Sequence, residues 1–228
     1  MNEKLKKIIS IIAGLFIIIF IFGEVISACC LDEEFYISEY EKMQTASDMG
    51  MSHEELMSAT NVLLDYLKDK RDNIDLTVTV NGKKVKMFDE RETLHMIDVK
   101  ALYINALTVT RILGALGLLS FFAIIAFNKK RSGVFLGYLK GNGIFLAILA
   151  VLGIYAAIDF NSFWTGFHKL FFTNDLWLLY PDERLIQMVP EQFFSDLVFR
   201  IVLFVVICAG IPAAVNFVLY KIFKKKEL

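Results

Sequence analysis

Charge is scarce in this sequence. Only 21% of the 228 residues are Asp, Glu, Lys or Arg, below the roughly 25% of a soluble domain. The 24 basic and 25 acidic residues nearly cancel. That balance excludes a nucleic-acid binder with a basic face and a polybasic partner surface. Cysteine is equally thin: Cys29 and Cys30 are adjacent and poorly placed to bridge each other, and Cys208 lies far away in an apolar run. No metal-ligand spacing is present. The familiar catalytic signatures are missing too. There is no G-x-S-x-G elbow, and His53-Glu54-Glu55 fails the H-E-x-x-H pattern at its fifth place. Gly141-Asn142-Gly143 opens an apolar run rather than a phosphate loop. No internal repeat suggests a transporter. Hydrolysis through a serine nucleophile or a metal has no support, and no cofactor is called for.

What the chain has is apolar surface. Hydrophobic residues make up 56%, aromatics 14%, and Phe alone contributes 21; the mean hydropathy is +0.54. Disorder and a coiled coil are excluded, which leaves a small polytopic membrane protein. Crossing about 30 Å of hydrocarbon takes roughly 18–20 apolar residues. Four runs approach this: Ile8 to Ala28, charged only at Glu24; Ile112 to Phe127, short unless extended back past Arg111; roughly Gly143 to Phe160; and Ile201 to Tyr220, entered by Arg200 and containing Pro212. With four spans, Lys4, Lys6 and Lys7, then Lys129, Lys130, Arg131 and Lys140, then Lys221, Lys224, Lys225 and Lys226 all fall on one side. Excess Lys and Arg mark the cytoplasmic side, so both termini are expected there. Residues 29–110 and 160–198 are acidic on balance and are expected outside. Ile26-Ser27-Ala28-Cys29 resembles a lipobox, but Glu24 interrupts the apolar core and the run is long for a signal peptide. An uncleaved anchor is the reading adopted.

The expected fold is a mainly α membrane protein: four transmembrane helices and a small extracytoplasmic α+β domain with a β-hairpin. The division is 1–28 for the tail and first span, 29–110 for the outer domain running into the second helix, and 111–228 for the other three spans with an interfacial loop at 160–198. Ser52-His53-Glu54-Glu55 has capping-box spacing, and Leu56, Val62, Leu63, Tyr66 and Leu67 continue as one or two short helices. Leu76 to Val80 alternates, Asn81-Gly82 follows, and Lys83 to Met87 alternates again, the strongest short-range hairpin signal. Its valines should face something apolar, either the membrane domain or more strands. A helix starts near Asp89-Glu90 and runs unbroken into the second span. Arg111, near its interface, should snorkel or face the bundle. Phe160, Phe163, Trp164, Phe167, His168 and Phe171 fall on one helical face, an aromatic stripe suited to a membrane interface. Trp177 and Tyr180 add interfacial rings. Pro181 should open a further short helix, and Pro190 should end it before Phe193-Phe194.

Among three histidines, His53 sits in a charged helix start. His95 and His168 each lie within a few turns of the outer boundary, on segments the bundle can bring together. Asp98, three residues after His95, could fix its tautomer by accepting a ring N–H; it could equally be a surface acid. If the chain is an enzyme, these residues point to histidine acid–base chemistry at the outer leaflet.

Two blocks then carry a resemblance. One is Arg91-Glu92-x-x-His95-Met96-x-Asp98-Val99-Lys100 before a span. The other is Phe163-Trp164-x-x-Phe167-His168-x-Leu170-Phe171-Phe172, followed by Asn174-Asp175-x-Trp177, Tyr180-Pro181 and Pro190-x-x-Phe193-Phe194. With four spans and one outer domain, this resembles the lipoprotein intramolecular transacylase family of Gram-positive bacteria. The resemblance implies a plasma-membrane enzyme with an extracytoplasmic active site. Its substrate would be a diacylated bacterial lipoprotein held among membrane lipid, with no nucleic acid, obligate protein partner, metal or cofactor. The sn-2 acyl chain of the diacylglyceryl-cysteine would move to the α-amine of the same cysteine. The family's two essential histidines would map to His95 and His168. Glu92, Asp98, Trp164, Tyr180, Arg111 and Arg200 are candidate orienting or supporting groups, and Phe160, Phe163, Phe167 and Phe171 candidate acyl-chain contacts. The rival readings are a non-enzymatic scaffold or chaperone partner, and a phospholipid-linked acyltransferase.

Overall fold

The computed structural model describes residues 2–128 and 130–227. Lys129, one member of the second basic cluster, lies outside the described residues. The elements in order are α1 (Glu3–Cys30), α2 (Glu33–Met43), α3 (Thr45–Asp48), α4 (His53–Leu67), β1 (Thr77–Val80), β2 (Lys83–Lys86), α5 (Glu90–Phe127), α6 (Ser132–Ile158), α7 (Phe160–Phe171), α8 (Arg184–Met188) and α9 (Glu191–Lys226). They form two compact units. One holds Met1–Ser27, Ala106–Ile158 and Phe199–Leu228, and the other Ala28–Asn105 and Asp159–Val198.

The first unit is helical. Four helices, α1, α5, α6 and α9, are long and apolar enough to cross a membrane. Their outward faces are greasy: Leu119, Val151, Ile158 and Ile211 are each at least 67% exposed, which suits hydrocarbon as the solvent and not water. The interior packs Ala13 and Ile17 of α1 against Phe121 and Ile124 of α5 and Val134, Phe135 and Tyr138 of α6. Lipid tails are as apolar as leucine, so helices in a membrane associate through close packing at small residues. Here α1 and α6 meet at such residues. A Cβ on Gly141 would stand 2.3 Å from the Ile11 carbonyl oxygen, and one on Gly14 2.5 Å from that of Tyr138. Arg111 neither snorkels freely nor stands alone. Its Nε donates to the Glu24 carboxylate at 2.7 Å, with a second bond from the guanidinium at 3.3 Å. The one charge inside the first apolar run is thus matched by the one at the start of the second.

In the second unit, α4 begins as its sequence indicates: Ser52 caps it by accepting from the Glu55 N–H. Its buried face carries Leu56, Ala59, Val62, Leu63 and Leu64. Helix α2, in a stretch whose fold the sequence left open, buries Phe35, Glu39 and Tyr40. Tyr40 hydrogen-bonds to Thr60 of α4 at 2.9 Å, and Phe35, Tyr36 and Tyr40 surround Phe193 at the start of α9. Lys42 is shared by Glu39 and Asp196, a second tie between α2 and α9. The hairpin pairs Val78 with Val85 and Val80 with Lys83. Asn81 and Gly82 both have positive φ, the backbone a two-residue turn of this hand requires. It gains no further strand among the described residues. Val78 is buried, and β1 is tied instead to the neighbourhood of α4: Thr79 N–H donates to Glu55 and Asn81 N–H to the Gly50 carbonyl.

One boundary differs from the sequence reading. Pro181 does not open a helix. Residues 181–183 form a turn and α8 starts at Arg184, because the Glu183 carboxylate turns back to accept the Tyr180 N–H. Helix α8 ends at Met188 as expected from Pro190: the residue before the proline, Val189, is held out of the helical region (φ −129°, ψ 74°), and α9 starts directly after it. Helix α5, by contrast, is a single 38-residue rod. At 1.5 Å per residue that is about 57 Å, nearly twice the ~30 Å of hydrocarbon.

Candidate active site

The start of α5 is fixed by a reciprocal cap. Glu92 N–H donates to the Asp89 carboxylate at 2.8 Å, and Asp89 N–H donates back to Glu92 at 2.6 Å. The second Glu92 oxygen accepts the Leu185 N–H at the start of α8. Glu92 is 1% exposed, and burial raises its pKa against the pull of those two backbone donors. One turn further on, His95 is buried as well. Helix α7 starts with its own cap, the Asp159 carboxylate accepting from Ser162 N–H, and presents His168 in its last turn.

These two imidazoles meet. Their ring centres are 6.2 Å apart and inclined at 34°. Phe172 packs against both, 5.5 Å from His95 and 5.6 Å from His168. Trp177 stacks on His168 at 4.9 Å, and Trp164 meets it edge-on at the same distance. A second rank of rings follows along α7: Phe160 on Trp164, Trp164 on Phe167, Phe167 on Phe171, with Phe163 beside Phe160. Phe194 of α9 stacks on Trp164 at 4.5 Å. Burial among these rings disfavours the cationic forms. His95 is pushed down to about 4, first by burial, then by repulsion from His168, with Asp98 opposing. His168 is lowered by burial, with the Trp164 carbonyl opposing.

His168 Nδ1 lies 2.8 Å from the Trp164 carbonyl oxygen. A carbonyl only accepts, so Nδ1 carries the proton and Nε2 presents a lone pair. His95 Nδ1 has no hydrogen-bond partner among the described residues.

The supporting residues divide. Asp98 does not hold His95; its carboxylate accepts from the Asn174 amide at 2.8 Å. Arg91, which sequence reasoning passed over as a site residue, donates to the Asp175 carbonyl at 2.7 Å and lies 5.2 Å over the Tyr180 ring. Tyr180 is therefore a seat for Arg91. Three residues of α5 on either side of His95, Arg91, Glu92 and Asp98, thus fasten the segment from Asn174 to Leu185 that carries Trp177. Arg111 pairs with Glu24 in the helical unit, and Arg200 in that unit lies over Phe204; neither belongs to the unit holding the histidines. Phe172 and Phe194 were visible only as aromatic neighbours in the sequence, since nothing there showed that they touch His168 or Trp164.

A family model described as lipoprotein intramolecular transacylase Lit matches residues 11–194. The chain belongs to that family. It is an acyltransferase of the membrane, and the non-enzymatic scaffold reading is set aside. No curated protein matches the chain. Three solved structures share the fold of this transacylase. The membrane-integral lipoprotein intramolecular transacylase Lit of Bacillus cereus is 22% identical, with a TM-score of 0.78 over 99% of each chain. A variant of that protein with one histidine changed to alanine is 21% identical, with a TM-score of 0.74 over 98% of this chain and 96% of that one. A histidine-to-arginine variant gives the same identity and score over 98% and 94%.

Proposed function

We propose that this transacylase moves the sn-2 acyl chain of a diacylglyceryl-cysteine lipoprotein to the α-amine of the same cysteine, with His95 and His168 as the acid–base pair. The observation that carries the reading is the pair itself: two imidazoles 6.2 Å apart, packed among aromatic rings. The substrate contains its own nucleophile, so no enzyme nucleophile is needed. Its α-amine, with a pKa of about 7.7–8, gives up its extra proton to solvent and attacks as the free base. His168 Nε2 is the base. The amine nitrogen bonds to the ester carbon, and the proton passes to Nε2. The imidazolium so formed then protonates the glycerol oxygen as the C–O bond breaks, which leaves His168 neutral again. His95, held neutral by burial and by repulsion from a charged His168, donates a ring N–H to the developing oxyanion as a neutral imidazole. The ladder of Phe160, Phe163, Phe167 and Phe171 seats acyl chains and excludes water. Holding amine and ester together supplies several kcal/mol through effective molarity.

The basic clusters at both termini and between α5 and α6 support an orientation with both termini cytoplasmic. Residues 29–110 and 160–198, and with them the histidines, then face the extracytoplasmic side. The test is expression in cells that make only diacyl lipoprotein. A reporter's N-terminal lipopeptide is then fragmented by mass spectrometry. The expected result is an unchanged total mass with one acyl chain moved from glycerol to the amine. His95→Ala and His168→Ala should each abolish the shift with the protein still present in the membrane. A near-normal rate in either variant removes that residue from the mechanism.

A further inference from the structure

Beside the imidazoles, and separate from the aromatic ladder, lies an open cleft of mixed lining. It has a volume of about 360 Å³ and is lined by Thr165, Lys169, Phe172, Thr173, Asn174, Asp175, Trp177 and Leu178. Phe172 and Trp177 are its inner wall, and these are the two rings that pack on the histidines. The cleft is therefore one ring removed from the reacting groups. The Asn174 amide is already committed to Asp98 and to the Leu176 N–H. The other polar side chains are not. Among the described residues, the hydroxyls of Thr165 and Thr173, the Lys169 ammonium and the Asp175 carboxylate make no hydrogen bond or ion pair with the chain. Two hydroxyls that both donate and accept, one cation and one anion thus face a cleft next to the histidine pair.

We propose that this cleft binds the main chain of the lipoprotein just after its acylated cysteine. The assignment rests on the proposed reaction, because that reaction puts a peptide carbonyl one residue from the attacking amine. The acyl chains require apolar walls, which the α7 ladder supplies. The peptide leaving the same cysteine carries alternating N–H and C=O groups, for which the unengaged hydroxyls, the ammonium and the carboxylate here are ready partners. The mixed lining suits alternating donors and acceptors. It does not suit a phosphate headgroup, which would meet Asp175 as well as Lys169. Small side chains after the cysteine fit a cleft near the lower end of ligand-pocket sizes, about 300–1,000 Å³.

The experiment uses full-length protein in phosphatidylcholine vesicles with two synthetic substrates. One is diacylglyceryl-cysteine amide. The other is the same lipid-modified cysteine followed by Ser-Asn-Ala amide. Wild type should convert the longer substrate with a kcat/KM about tenfold higher, what one or two net hydrogen bonds supply. Thr165→Val/Thr173→Val and Lys169→Gln/Asp175→Asn should lower the kcat/KM of the longer substrate toward that of the shorter one, chiefly through KM. Unfolding midpoints check that each variant keeps its fold. Equal kcat/KM for the two substrates in wild type overturns the assignment. So does an equal loss on both substrates in the variants, the signature of displaced Phe172 and Trp177. A length preference that disappears in phosphatidylglycerol vesicles would give the cleft to a lipid headgroup and overturn it too. If wild type converts neither substrate, the transfer reaction itself falls, and the cleft assignment with it.

Discussion

His95 should make the fold acid-sensitive by an amount the structure sets. Its ordinary value is 6.5, and burial with the neighbouring His168 brings it to about 4 in the folded protein. The group is depressed, so the unfolded chain binds the proton first. Stability from His95 is complete above pH 6.5, declines as the pH falls below it, and is lost by about pH 4. At about 1.36 kcal/mol for each tenfold change in proton affinity, the full effect is roughly 3 kcal/mol. Carboxylates titrate in the same window, so wild type alone cannot isolate it. His95→Gln removes the titration while keeping a polar side chain of similar reach. The assay is equilibrium unfolding in mixed micelles from pH 7.5 to 4, followed by tryptophan fluorescence. The chain has only two tryptophans, and both Trp164 and Trp177 touch His168, so the signal reports on the site. The wild-type curve should fall more steeply than the variant's, with a gap that opens below pH 6.5 and reaches about 3 kcal/mol near pH 4. Parallel curves would refute the claim that His95 is held neutral by its surroundings.

Three further outcomes follow from single contacts. Glu92→Ala leaves the Asp89 and Leu185 N–H groups without their acceptor and should cost about 2–4 kcal/mol in the same unfolding assay; Glu92→Gln, which keeps a carbonyl oxygen, should cost less, and equal losses would mean the ionised carboxylate itself is what matters. Gly141→Leu should prevent α1 and α6 from packing and sharply reduce membrane accumulation on immunoblots, whereas Gly143→Ala, where an added Cβ meets nothing within 4 Å, should be tolerated. Glu24→Gln and Arg111→Gln should each destabilise the protein, and the double variant should recover part of the loss with a coupling of about 1 kcal/mol or more; strict additivity would show that the 2.7 Å pair contributes nothing in lipid.

How much of this could be read from residues alone depends on the range of the signal. Periodicity and turn chemistry are local, and they specified the four apolar helices, the Asn81-Gly82 hairpin, the Ser52 cap, the unbroken α5 and the aromatic face of α7. Helix α2 escaped because its buried face is mixed. Phe35 and Tyr40 share it with Glu39, and the carboxylate is tolerated there because Lys42 from the same helix reaches it. The candidate site depends on partners far apart in the chain, and there local spacing leaves alternatives open. Three residues apart on a helix are neighbours, so Asp98 could serve either as a partner for His95 or as a surface acid. Its carboxylate instead takes Asn174, 76 residues away, just as Arg111 takes Glu24, 87 residues away, and neither pairing has a one-dimensional signature. One contact of the site is local in the sequence. His168 stands in the last turn of α7, four residues after Trp164, and a histidine there can reach back to a main-chain carbonyl of its own helix. That contact decides which ring nitrogen keeps a lone pair. The nitrogen proposed to take the amine proton is therefore set within a single turn of helix, while His95, which it must act beside, is brought to it by Arg91, Glu92 and Asp98 gripping a segment 76 to 93 residues further along the chain.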